Sequence, residues 1–213
     1  MTNHPEGVWL RRGWLEPAAQ RALADEVTAV LRAAPPFRPT MPQSGRPFSV
    51  RMSNAGPLGW VSDRDGYRYQ PRHPQTGRPW PAIPEKVLEV WRALAAYPAP
   101  PEACLINLYD ATARMGPHQD RDEAALDAPV VSISLGSSAR FRIGGTTRGG
   151  PTQNLTLDSG DVLVLGGPAR LSFHGIDRVF AGTSPLPGLP EGIERINLTL
   201  RRVTRPAAPS TVD

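Results

Sequence analysis

The segment GPHQDRDE, residues 116–123, sets one imidazole and three carboxylates behind a glycine and a proline. In extended backbone, residues i and i+2 project to the same side. His118 and Asp120 therefore point together and offer a nitrogen and an oxygen to one ion. Asp122 extends that face, and alternation leaves Arg121 and Glu123 as solvated charges. His174, in the run LSFHGI, adds a second imidazole in strand-like context, whereas His4 sits near a frayed start and His73 in a long loop. Two histidines and one carboxylate on a β scaffold form the facial set that leaves positions open on Fe(II). Taken alone, the three residues fit equally well a core histidine beside a wet, charged turn.

A second group with chemical potential is ERINLTLRR, residues 194–202. Alternation places Arg195, Asn197, Thr199 and Arg201 on one face and Ile196, Leu198 and Leu200 on the other. The apolar face reads as core. The polar face is either an ordinary solvated surface or the lining of a barrel. In the second case two buried arginines require anionic partners, because an unpaired buried charge is very costly, and a dicarboxylate would supply them. CLINLYD follows the same logic: Asn107 and Tyr109 share a face with Leu105, opposite Ile106 and Leu108. Asparagine and tyrosine side chains are suitable donors to a carboxylate.

The elements that must position these groups are mostly strands. From residue 103 the chain breaks into short period-two runs, ACLINLYD, PVVSISLG, ARFRIGG, QNLTLDSGDVLVLGG, LSFHGI and ERINLTLRR, separated by Gly, Pro, Asp and Ser clusters. This pattern predicts an all-β sandwich or barrel, with the jelly roll a natural candidate. Ahead of it, residues 15–34 predict a helix with Leu23, Val27, Val30 and Leu31 on one face, Pro17 in its first turn and Pro35–Pro36 as its stop. A second helix is expected around 84–97, with Val87, Trp91 and Leu94 inward. The intervening 35–83 reads as an irregular, functional segment carrying LGW at 58–60 and GYRYQP at 66–71.

Composition bounds the rest. The 213 residues suffice for one domain with a substantial core. The 20 glycines and 25 prolines favour turn-rich β architecture over a helix bundle. Cys104 is the only cysteine, which excludes an intrachain disulfide and points to a reducing compartment. The start lacks the apolar stretch of a signal peptide, and no run is long enough to span a membrane. A cytoplasmic monomer is the expectation. All the basic residues except Lys86 are arginine, and the net charge is +4. Arginine suits phosphate recognition, but a GC-rich genome produces the same bias, so charge alone does not decide.

H-x-D, a distant H, and R-x-N-x-T-x-R in that order resemble the AlkB family of iron(II)/2-oxoglutarate-dependent dioxygenases. CLINLYD, HQDRDE, PVVSISLG, DSGDVLVLGGPARLSFHGI, RINLTLR and, upstream, LGW, GYRY and PQTGRPWPAIP are similar to family segments in the same order. The likeness covers roughly residues 47–202; its main departure is a longer spacer at 181–192, expected to be a surface loop. The resemblance implies a mostly β, double-stranded β-helix (jelly-roll) core at 101–203. N-terminal helices and a loop-rich nucleotide-recognition lid would occupy 8–100, and a flexible tail 204–213, in a single domain.

The family further implies Fe(II) on His118, Asp120 and His174. It implies 2-oxoglutarate held by Arg195 in the Asn107, Leu108, Tyr109 segment, with Asn197 and Thr199 lining the same pocket and Arg201 serving the iron-proximal carboxylate and Asp120. O2 would be consumed, N-methyl groups of 1-methyladenine or 3-methylcytosine hydroxylated, and formaldehyde, succinate and CO2 released. Trp60 would stack on the damaged base opposite His118. Tyr67, Arg68 and Tyr69 would line the substrate entrance, Asp122 would meet the exocyclic amino group, and Arg148 would add a further contact. Single- or double-stranded DNA, and RNA in addition, would be the partner. Rival readings keep the iron site on an RNA or protein hydroxylase, or reduce the chain to a metal-free nucleic-acid binding module.

Overall fold

Each period-two run after residue 102 becomes a strand, because one side of the run can be buried only if its neighbours pair at the same spacing. The architecture is that of a computed structural model describing residues 4–207; the remaining residues of the expected frayed start and tail lie outside the described residues. In chain order the elements are β1 (Val8–Arg11), α1 (Pro17–Ala33), β2 (Arg51–Ala55), β3 (Gly59–Asp63), β4 (Gly66–Gln70) and α2 (Glu85–Leu94). There follow β5 (Ala103–Tyr109), β6 (Met115–His118), β7 (Val130–Gly136), β8 (Ala139–Gly144), β9 (Thr152–Leu157), β10 (Val162–Leu165), β11 (His174–Val179) and β12 (Arg195–Arg201).

Six strands form one antiparallel sheet in the order β1-β10-β7-β12-β5-β2, and four form a second, β6-β11-β8-β9. The chain is mostly β with the jelly-roll arrangement. One apolar cluster joins the six-stranded sheet to the helices through Leu23, Val27, Trp91, Ile106, Ile196 and Leu198. A second fills the space between the sheets with Leu105, Tyr109, Phe141, Leu163 and Ile176. β12 is thus buried on both sides, and the choice left open by alternation resolves inward. No helix among the described residues is long and apolar enough to cross a membrane.

Both helices form where expected, with Val87, Val90 and Trp91 the buried face of α2 and Leu94 only partly covered. The division near residue 101 is less clean than expected. β1 pairs with β10 and β2 with β5, so two strands of the six-stranded sheet come from the N-terminal half. β2 escapes the periodicity because its sequence, RMSNA, buries Ser53 and Asn54. Both are satisfied by residues outside the strand: Ser53 donates to the Ala34 carbonyl at 2.7 Å, and the Asn54 amide pairs with the Trp60 backbone at 3.0 Å in both directions. The 181–192 spacer is a mostly exposed loop, as expected, with one apolar anchor. Leu186 is buried and Leu189 partly so, both against the helix-side core, so this loop covers apolar surface.

β3 and β4 make a separate hairpin, pairing Trp60 with Tyr69 and Ser62 with Tyr67. Through Val61 it rests on Phe37 and Trp80. His73, with its ring Nε2 2.7 Å from the Pro35 carbonyl, braces the same region and is a structural histidine.

Gly175 sets the distance between β6 and β11. A Cβ there would lie 2.3 Å from the Met115 carbonyl oxygen and 2.9 Å from that of Gly116. Both obstacles are backbone, so a side chain would push the strands apart. Gly175→Ala is expected to lower stability by about 1–3 kcal/mol, measured by chemical denaturation, and to weaken metal binding in calorimetry. Stability and metal affinity equal to those of the unsubstituted protein would show that the strands tolerate separation.

Candidate active site

His118 ends β6 and His174 opens β11, and the two are direct cross-strand partners. Their ring centroids are 4.5 Å apart. Each ring is fixed by its Nδ1, 2.9 Å from a backbone carbonyl: Gly116 for His118 and Ser172 for His174. A carbonyl only accepts, so Nδ1 carries the proton and Nε2 presents its lone pair. Those two Nε2 atoms lie 3.7 and 3.8 Å from the carboxylate of Asp120. Burial, reinforced by the neighbouring His118, pushes His174 down to about 4, leaving the imidazole neutral near pH 7. Asp120 is held ionised below the usual carboxylate range because Arg201, His174 and His118 outweigh its burial. Its Oδ2 is buried and has no hydrogen-bond partner among the described residues. One ligand atom from each residue lies within 4.8 Å of the others. Two imidazole nitrogens and a carboxylate oxygen, already oriented, fit a divalent cation.

Asp120 is anchored from behind. Arg201 Nη2 donates to Asp120 Oδ1 at 2.7 Å, and Arg201 Nη1 donates to the Tyr69 hydroxyl at 3.2 Å. Arg170 reaches the Asp120 carbonyl and also pairs with Glu123 at 3.0 Å. Glu123 lies 3.5 Å from Arg201 Nε and accepts a hydrogen bond from the Tyr69 hydroxyl. Glu123 is therefore not the solvated charge expected from parity; its side chain is 1% exposed. β6 stops at His118, and beyond a strand end alternation no longer dictates facing. Arg121 is exposed as expected. Arg170 is a site residue that sequence reasoning missed. The available signal was an arginine four residues before His174 in a strand-flanking turn, a pattern too common to stand out.

At the other end of the same cavity lies Arg195, fully buried. It donates to Ser134 Oγ at 2.7 Å and to the carbonyls of Ser137 and Leu157 at 3.1 and 3.3 Å, while its Nε has no partner. No carboxylate pairs with it among the described residues, and burial lowers it to about 10. Asn107, Tyr109, Asn197 and Thr199 line the same cavity. Asn197 accepts from Asn107 at 3.3 Å and Thr199 at 2.9 Å and donates to Ser132 at 2.7 Å. Leu108 is the exception among the expected residues. It points to the helix-side core, as its parity with Ile106 requires, and does not line the pocket.

On the lid side, Trp60 stacks on Tyr67 with centroids 5.7 Å apart and planes 17° apart. Its indole nitrogen donates to Asp122 Oδ2 at 2.8 Å. Tyr67 is exposed, whereas Tyr69 turns its hydroxyl inward to Glu123 and Arg201. Arg68 is occupied by its own hairpin, pairing with both oxygens of Asp63 at 2.8 Å. Arg148 is exposed, its guanidinium 5.1 Å from the centroid of the Phe173 ring.

A sequence model of the 2OG-Fe(II) oxygenase superfamily matches residues 7–201. A relative from Caulobacter vibrioides, an alpha-ketoglutarate-dependent dioxygenase AlkB homolog, is 55% identical over 190 residues, covering 89% of this chain and 84% of that protein. This chain belongs to the AlkB family. The solved structure of OsALKBH1 superposes with a TM-score of 0.77 at 28% identity, over 92% of this chain and 96% of the other. An Arabidopsis thaliana relative, the DNA N(6)-methyladenine demethylase ALKBH1D, is 41% identical over 108 residues, covering 47% of this chain and 24% of that protein. As an AlkB-family dioxygenase the protein uses Fe(II), 2-oxoglutarate and O2. That membership removes the metal-free binding module from contention.

Glu123 is held between two guanidinium groups. Glu123→Ala is expected to destabilise the fold by roughly 3–5 kcal/mol, since breaking a buried pair leaves uncompensated charge. Urea denaturation checks this; a loss under about 1 kcal/mol, the usual worth of an exposed pair, would mean water replaces the carboxylate without penalty.

Proposed function

We propose that the enzyme is an oxidative demethylase of alkylated nucleobases, 1-methyladenine and 3-methylcytosine, in DNA and also in RNA. The observation that carries the reading is the bond from Trp60 to Asp122, two residues beyond Asp120. It gathers an aromatic face and a carboxylate beside the metal ligands. An N-methylated adenine or cytosine is cationic, so a π face and a negative charge favour it over the neutral base. A damaged base also leaves its stack at the least cost.

In this reading His118, Asp120 and His174 hold Fe(II). Arg195 takes the far carboxylate of 2-oxoglutarate, helped by Tyr109 and Asn107, and Arg201 fixes Asp120 from behind. Asn197 and Thr199 shape the wall between the two ends. When bound, iron and 2-oxoglutarate with O2 supply the oxidation that hydroxylates the N-methyl group, giving succinate, CO2 and, after collapse of the product, formaldehyde. The chain's own residues position and exclude. His174, kept neutral near pH 7 by its burial, leaves its Nε2 available, the apolar wall of Leu105, Phe141 and Ile176 keeps water out, and Trp60 and Tyr67 frame the base. Arg148 contacts the strand outside, while Arg68 stiffens the hairpin through Asp63. The single, free and buried Cys104 accords with a reducing, cytoplasmic compartment.

Formaldehyde release from methylated oligonucleotides, with and without Fe(II) and 2-oxoglutarate, tests the reading. Release that depends on both is expected, and its absence with iron-loaded protein would overturn it. Trp60→Ala is expected to weaken methylated-strand binding by about 1–3 kcal/mol, the worth of one stacked base, while 2-oxoglutarate consumption without substrate persists. Fluorescence anisotropy reads the first effect, and unchanged affinity would remove Trp60 from the base site. Arg195→Ala is expected to raise the KM for 2-oxoglutarate at least tenfold through loss of a charge-assisted contact. An unchanged KM would mean another group holds that carboxylate.

A further inference from the structure

The helices cover the six-stranded sheet, leaving the outer face of the four-stranded sheet bare. On that face Arg114, Arg140, Arg142 and Arg178 line an open groove of about 380 Å³, with Asp177 the only carboxylate among its lining residues. Arg142 pairs with Asp177 at 2.7 and 2.9 Å. The guanidinium groups of Arg114, Arg140 and Arg178 make no ion pair among the described residues, although that of Arg178 sits 5.6 Å from the centroid of the Phe180 ring. Arg140 and Arg178 are direct cross-strand partners. Like charges placed opposite each other destabilise a sheet, so the fold gains nothing from this pairing.

The groove adjoins the metal centre. Met115 and Ile176 line both. Arg114 precedes His118 along one extended stretch by about 13 Å at the strand rise, a span of about four nucleotides of a B-form strand. Among the described residues no large apolar side chain is exposed on this face, for the exposed ones are Trp9, Trp14, Met41, Tyr67 and Leu126. That composition offers nothing to insert into a lipid surface. Planar, unpaired donors in a row suit repeated phosphates.

We propose that this arginine-lined face binds the sugar–phosphate backbone of the strand flanking the base at the metal centre. The inference rests on the nucleobase-demethylase reading and extends it from the base to its neighbours. The groove would fix the register of the strand while the lid selects the lesion.

The test uses an undamaged single strand of about 20 nucleotides, whose affinity for the full-length protein is measured across a series of salt concentrations. Each single-strand phosphate contact adds about 0.7 to the slope of log affinity against log salt. The double variant Arg140→Ala/Arg178→Ala is expected to lower that slope by about 1.4. A control variant, Arg21→Ala/Arg32→Ala on the exposed side of α1, removes the same charge and is expected to leave the slope in place. With methylated substrates, the KM for the long strand is expected to rise at least threefold in the groove variant, and by less for a trinucleotide too short to reach it. A slope equal to that of the unsubstituted protein, or an equal fall in the control, would overturn the proposal. Binding of an undamaged strand needs no turnover, so this result is read separately from the formaldehyde assay.

Discussion

Two guanidinium groups inside a β sandwich impose the constraint that the rest of the site obeys. β12 is buried on both faces, with leucine and isoleucine toward the helices and arginine, asparagine and threonine toward the second sheet. A buried cation is tolerable only when its donors are met. Arg201 has its charge offset inside the protein, through Asp120, Tyr69 and the nearby Glu123, although its Nε has no hydrogen-bond partner. Arg195 has a hydroxyl and two carbonyls but, among the described residues, no carboxylate. The strand thus carries one cation whose charge is offset by carboxylates of the fold and another whose charge no carboxylate of the described residues offsets. A sheet edge or a solvated face could not create that contrast, because water would satisfy both groups alike.

The same economy of contacts sets the metal ligands. Cross-strand pairing puts the two histidines side by side, and backbone carbonyls decide which nitrogen of each is free. Gly175 permits the close approach that this pairing needs. The ligands therefore follow from strand register and one missing side chain, and the affinity of the site is bound up with the stability of the four-stranded sheet.

Much of this was legible in the sequence where periodicity governs. The helices, the strands after residue 102 and the inward set Asn107, Tyr109, Arg195, Asn197, Thr199 and Arg201 all follow from alternation once one face is known to be buried. Legibility failed where backbone is not periodic or where polar residues are buried. Glu123 lies past the end of β6, and its facing is set by Arg170 and Tyr69, which are distant in sequence. β2 hides behind Ser53 and Asn54, whose hydrogen bonds are tertiary. The resemblance groups Leu108 with Asn107 and Tyr109, whereas its parity with Ile106 assigns it to the core, where it lies. Leu186 looked like loop because its neighbours are proline, glycine and serine, yet a single leucine suffices to tether a loop to a core.

Tyr69 belongs to the lid hairpin, yet its hydroxyl meets the same arginine that grips Asp120. Such sharing makes the two events thermodynamically reciprocal. The packing of the hairpin and the orientation of the carboxylate therefore rest on one guanidinium, and a change at Tyr69 reaches Asp120 without touching a metal ligand.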